Sequence, residues 1–155
     1  MTAGQSVRPA SAADAAGAKV CIAAAFELYV ERIGKVPAPM LLDIAAEIEA
    51  GRVWIVRSGK VIAGVLVQYE TERGFCIDTV AVQPSLQGTG IGRALLQFAE
   101  HEARRRGHHA LYLYTHSKMT ESQALYARIG YLEVERRHEA GYDRIYYTKT
   151  LTRPA

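Results

Sequence analysis

The stretch VAVQPSLQGTGIGRALL, Val80 to Leu96, confines the fold of this chain more than any other. A small, β-branched run ends at Gln83–Pro84, and three glycines follow at alternate positions, Gly88, Gly90 and Gly92. Leu95, Phe98, Ala99 and Ala103 then recur at helical spacing until Gly107. A strand that feeds a helix through glycines offers the unpaired N–H groups of a helix N-terminus, where the helix dipole favours an anion. Without side chains in the way, successive amides can curl around that anion. Arg93 stands in the first helical turn, where a cation is disfavoured unless an anion sits beside it.

Two common phosphate loops fail on spacing. A nucleotide P-loop needs Lys and then Ser or Thr after its last glycine, and Arg93 and Ala94 follow Gly92. The dinucleotide fingerprint needs a third glycine where Arg93 stands, and no opening βαβ unit precedes it.

The rest of the chain supplies a sheet for this unit. VRPAS, Val7 to Ser11, reads as a short strand and a helix start with Ser11 as N-cap and Asp14 in the first turn; the helix is expected to run to about Ile33, where Gly34 breaks it. KVPAPM forces an extended elbow, and MLLDIAAEIEAG is expected to form a second helix closed by Gly51. VWIVRSGKVIAGVLVQYE reads as two strands joined at Ser58 and Gly59, TERG turns the second into FCIDTVAV, and the three form an antiparallel meander. ALYLYTH, Ala110 to His116, is an alternating strand, TESQALYARIG a short helix stopped by Gly130, and the chain from Tyr131 to Leu151 a hairpin turning near Gly141. This order implies a mixed sheet with helices on both faces, parallel where the strand before the glycine loop neighbours the strand after its helix.

The 155 residues suit a single domain, 1–155, with 49% hydrophobic and 23% charged residues marking an ordinary globular chain. A formal charge of +3 is too small to imply nucleic acid; the densest basic run, Arg104 to Arg106 with His108 and His109, falls where cations cap a helix C-terminus. Cys21 and Cys76 lie in apolar runs with no metal-ligand spacing, which fits buried thiols in the cytoplasm. No segment is long enough to span a bilayer, and no metal is expected.

Gln87, Gly90 and Gly92, placed after VAVQP and before a helix, resemble the pyrophosphate loop of the GNAT superfamily of acyl-CoA N-acyltransferases, whose pattern is Gln or Arg, two residues, Gly, one residue, Gly or Ala. ESQALYARIGY is similar to the later family motif, a helix carrying a Tyr and ending in Gly plus an aromatic, here Tyr126, Gly130 and Tyr131. The elbow AAFELYVERIGKVPAPM is similar to the acceptor side of a bacterial branch. Met119 and Ser122 depart from the pattern, since many members carry Asn at the first position and Asn or Ala at the second; the Ser122 hydroxyl can still meet the pantetheine arm.

The resemblance implies an α/β fold with a mixed, mostly antiparallel sheet of about seven strands and four helices. It implies transfer of acetyl from acetyl-CoA to a small-molecule or peptide amine by direct attack in a ternary complex. Gln87, Gly88, Thr89, Gly90, Ile91, Gly92 and Arg93 would hold the pyrophosphate, and the backbone of Val80, Ala81 and Val82 the pantetheine arm and thioester. Tyr126 would be the acid at sulfur, since a phenol of ordinary pKa about 10 can donate to a thiolate whose conjugate acid lies near ~8.5. Asp78, two places before Val80 on the same strand face, is the candidate base, with Glu70, Glu72, Tyr114 and a water chain as rivals. Glu31, Arg32, Arg144 and several tyrosines are expected around the acceptor, with His116 a minor candidate. A non-catalytic acyl-CoA sensor on the same fold is the alternative, and the exposed edge of the terminal hairpin leaves a homodimer open.

Overall fold

The structure is a computed structural model that describes residues 6–151. Seven strands form one hydrogen-bonded sheet in the order β1-β2-β3-β4-β5-β7-β6. They are β1 (Arg8–Pro9), β2 (Val53–Ser58), β3 (Val61–Thr71), β4 (Gly74–Val82), β5 (Ala110–His116), β6 (Leu132–Glu139) and β7 (Tyr142–Thr150). The helices are α1 (Ala15–Phe26), α2 (Leu28–Ile33), α3 (Ile44–Glu49), α4 (Ile91–Arg105) and α5 (Thr120–Arg128). The chain divides into two compact units, one holding the described residues up to Gln68 with Thr79–Ala99, the other Tyr69–Asp78 with the described residues from Glu100 onward.

In the first unit, Ser11 and Asp14 form a reciprocal capping box, with the Ser11 N–H donating to Asp14 at 2.8 Å. That backbone bond is the largest cause holding the buried Asp14 carboxyl down at about 2, and Arg57 at 2.7 Å adds to it. The expected single helix to Ile33 is interrupted at Glu27, where the Val30 N–H bonds back three residues to the Glu27 carbonyl, and it ends as expected at Gly34 in the left-handed region. The second expected helix begins later than its apolar run suggests. Ala38–Leu41 is a 3₁₀ turn, and the Asp43 side chain accepts the Ala46 N–H at 3.1 Å, so α3 starts at Ile44.

β2 and β3 pair antiparallel from Val53↔Val67 to Ser58↔Val61 with a bulge at Val56/Arg57, which puts the turn at Gly59–Lys60, one residue beyond its expected place. The two-residue connection Glu72–Arg73 joins β3 to its neighbour β4. A side chain at Gly64 of β3 would place its Cβ 2.7 Å from Ile91 Cγ2 and 3.0 Å from Leu95 Cδ1. The first turns of α4 therefore sit directly on the bare backbone of β3, and farther along Trp54 meets Phe98 with ring centroids 5.7 Å apart.

In the second unit β4 and β5 run parallel over Phe75↔Leu111, Cys76↔Tyr112 and Ile77↔Leu113, as the crossover through a helix requires. β5 pairs antiparallel with β7 along its whole length, and β7 with β6 around a turn at Ala140–Gly141. Phe75, Leu111, Leu113 and Ile145 are buried. The basic run at the end of α4 is ion-paired, Arg105 with Glu102 at 2.8 Å and Arg106 with Glu70 at 3.1 Å. No helix among the described residues is long and apolar enough to cross a membrane.

Because both close neighbours of a Cβ at Gly64 are branched core side chains, Gly64→Ala is expected to cost about 1–3 kcal/mol of folding stability, read as a lowered urea midpoint. An unchanged midpoint would show that α4 does not depend on this seat.

Candidate active site

The glycine loop belongs to the first unit. β4 ends at Val82, Pro84–Leu86 makes one 3₁₀ turn, and the Gln83 N–H donates to the Ala63 carbonyl at 2.8 Å, tying the loop's entry to β3. Gly88 and Gly90 have φ of +84° and +94°, conformations that side chains rarely adopt, so these two glycines are required by the backbone itself. Gly92 differs. It has no positive φ, and a Cβ there would lie 3.6 Å from Val82 Cγ2, an ordinary contact, so neither strain nor crowding calls for glycine.

The loop closes on itself through Thr89 Oγ1 to the Leu86 carbonyl at 2.6 Å and Gln87 Nε2 to the Val82 carbonyl at 3.4 Å. The Ala94 N–H bonds to the Gly90 carbonyl at 3.0 Å, so the amides of Ile91, Gly92 and Arg93 precede the first bond of this helical ladder. Arg93 is exposed and has no ion-pair partner among the described residues. A first helical turn with bare amides, a glycine without a packing reason and an unpaired cation suits a polyanion. Of the strand residues ahead of the loop, Ala81 is buried, while Val80 and Val82 are half-buried.

The second unit holds the remaining candidates. Asp78 Oδ1 accepts two phenols, Tyr114 at 2.5 Å and Tyr69 at 3.3 Å. Burial, reinforced by the Asp78 charge, pushes the Tyr114 phenol far above its usual range, which favours the protonated form that donates to Asp78. Tyr69 was not legible as a site residue, although a two-residue turn between β3 and β4 brings their residues into cross-strand register. Glu70 is committed elsewhere. Its bond from Arg106 is the chief cause holding its carboxyl below the usual range, and His108 lies 3.5 Å away.

Ser122 and Tyr126 lie one turn apart on α5, hence on one side of it. Tyr126 is half-buried, its ring 5.7 Å from that of Tyr131 and 6.1 Å from that of Tyr147, which fixes its plane between two buried aromatics. Met119 is buried and receives the Thr115 hydroxyl at 3.5 Å, so the first departure from the family pattern has a packing role. His116 Nδ1 accepts the Lys118 N–H at 3.0 Å and meets Tyr142 edge to face. On α2, Glu31 and Arg32 are exposed, with the Arg32 guanidinium 5.2 Å from the Tyr29 ring centre. Among the described residues no group of three or more His, Cys, Asp or Glu side chains could hold a metal ion.

The acetyltransferase (GNAT) family matches this sequence over residues 22–131, and the chain belongs to that family. It is an enzyme of the acyltransferase class. The fold is shared with solved structures at low identity. The ribosomal-protein-S18-alanine N-acetyltransferase of Escherichia coli is 18% identical with a TM-score of 0.75, over 97% of this chain and 96% of that one. The protein yncA of Salmonella typhimurium, solved with its cofactor acetyl-CoA, is 20% identical with a TM-score of 0.71, over 99% and 97%. A GCN5-related N-acetyltransferase from Rhodopseudomonas palustris is 21% identical with a TM-score of 0.75, over 97% and 98%. No curated protein matches the sequence.

Burial pushes both thiols, Cys21 and Cys76, up to about 12, with the Asp78 charge adding to the shift at Cys76. At pH 8 both remain neutral, and Ellman's reagent is expected to leave them untouched in the native protein and to titrate two thiols after denaturation. Rapid native reaction of either would contradict this burial.

Proposed function

We propose that this enzyme transfers acetyl from acetyl-CoA to a primary amine by direct attack with both substrates bound. The observation that carries the reading is the unpaired Arg93 in the first turn of α4, beside the bare amides of Ile91 and Gly92. Gln87, Gly88, Thr89, Gly90, Ile91, Gly92 and Arg93 would bind the pyrophosphate, and the main chain of Val80, Ala81 and Val82 the pantetheine arm, with Ser122 as a further donor. Acetyl-CoA, when bound, supplies the acetyl group as a thioester.

The chain's own part is to move two protons. An ammonium of pKa near ~10 must lose one before its nitrogen can form the new bond to the acetyl carbon, and Asp78 is the group to receive it. Tyr114 and Tyr69 both donate to Oδ1 of that carboxylate and support its orientation. As the carbon–sulfur bond breaks, the Tyr126 phenol gives its proton to the departing sulfur. The second proton of the nitrogen leaves as the tetrahedral carbon collapses and returns through water to the Tyr126 phenolate, while Asp78 releases its proton to solvent, so the net products are amide, thiol and one proton.

Free thiol release from acetyl-CoA, followed across a panel of amines, tests the function. Turnover that depends on one class of amine is expected; saturable acetyl-CoA binding with no turnover on any amine would overturn the reading in favour of a sensor. Tyr126→Phe is expected to lower kcat by about 10²-fold or more while leaving the acetyl-CoA dissociation constant within a factor of two. An unchanged kcat would remove Tyr126 from the proton path.

A further inference from the structure

The sheet face that carries Tyr114 continues across β5, β7 and β6, and one row of it is unusual. His116 pairs with Arg144, and Arg144 with Arg137, so two guanidinium groups face each other beside an imidazole with no carboxylate in the row. Like charges directly opposite one another destabilise a sheet. The centre of the row is nevertheless rigid. The Arg144 guanidinium lies 4.5 Å from the centre of the Tyr114 ring and 5.8 Å from that of Tyr142, with only 17% of its side chain exposed.

Acids around the row balance it only from outside. Glu139 meets Arg144 at 3.2 Å and also accepts the Tyr146 phenol. Arg137 meets Glu135 at 2.7 Å and Glu139 at 4.0 Å, Arg136 meets Glu133 at 3.0 Å, and His138 meets Asp143 at 2.6 Å. Most of these pairs are exposed, and pairs of that kind are worth about 0–1 kcal/mol each, so a ligand anion can exchange for them. A cleft of ≈ 340 Å³ opens at this end of the hairpin, lined by Ser117, Arg136, Arg137, His138, Asp143 and Arg144.

Tyr114 ties this row to the candidate base. Its ring face carries the Arg144 guanidinium while its hydroxyl donates to Asp78 at 2.5 Å. An amine that gives its proton to Asp78 therefore has a pre-oriented guanidinium on the far side of one phenol ring. Guanidinium groups bind carboxylates and phosphates with paired hydrogen bonds.

We propose that the acceptor is an amine carrying its own oxyanion, a carboxylate or a phosphate, which Arg144 and Arg137 receive while Asp78 faces the ammonium. This rests on the acetyl-transfer reading above and narrows its substrate class to amino acids and their aminoalkyl phosphate counterparts.

Matched acceptors test it on the full chain: ω-amino acids of increasing length, their primary amides, and the corresponding aminoalkyl phosphates, each compared by kcat/KM at saturating acetyl-CoA. At least a tenfold preference for an anionic member over its amide is expected, with the better of carboxylate and phosphate naming the group. Arg137→Gln, at an exposed position that folding tolerates, is expected to bring the anion-to-amide ratio close to one, and Arg137→Lys to restore part of it. Amides turned over as well as acids, or a preference that survives Arg137→Gln and Arg144→Gln alike, would overturn the proposal while leaving acetyl transfer intact. Absence of turnover with every amine would instead remove the reading on which it rests.

Discussion

The seat of α4 on Gly64 governs what the first unit can do. A helix can press its first turns this close to a strand only where the strand lacks a side chain, and Ile91 and Leu95 occupy the space that a Cβ would fill. That contact fixes the axis of α4, and the axis fixes where its unsatisfied amides and its dipole point. Gly88 and Gly90 then let the loop reach the helix start through left-handed backbone, while Gln87 and Thr89 brace it from within. The groups this unit offers are main-chain amides, and packing several residues away holds them in place.

The second unit uses side chains. Its phenols and guanidinium groups are layered, with Arg73 over both Tyr112 and Tyr146 at 5.4 and 5.0 Å from their ring centres, Arg137 over Tyr146, and Arg144 over Tyr114. Such stacking immobilises charged groups without consuming their hydrogen bonds. Asp78 is the carboxylate drawn into this layer from β4, and its two phenol donors make it a fixed acceptor rather than a mobile surface acid.

Much of this was legible in the sequence because periodicity and punctuation agree along most of the chain. β5 spans Ala110–His116 as its alternation predicts, Gly34, Gly107 and Gly130 stop helices in left-handed conformations, and the strand, loop and helix around Gly90 follow from spacing alone. Errors arose where a polar side chain outvoted the apolar pattern, as at Asp43, which starts α3 three residues inside its hydrophobic run. Gly64 was passed over although a lone glycine in a branched strand signals close approach of another element. Tyr69 and the arginine row were hidden for a different reason: they become neighbours only through strand register, which joins residues far apart in sequence.

The central claim is that the bare amides of the loop, and no side-chain cluster, grip the diphosphate of coenzyme A. Two-dimensional ¹⁵N–¹H spectra recorded during titration with coenzyme A read those amides one by one. The account predicts that the largest, saturable downfield shifts fall on Gly88, Gly90, Ile91 and Gly92, and that pantetheine, which lacks the diphosphate, leaves them in place. Shifts of equal size with pantetheine, or none at these four amides with coenzyme A, would contradict it.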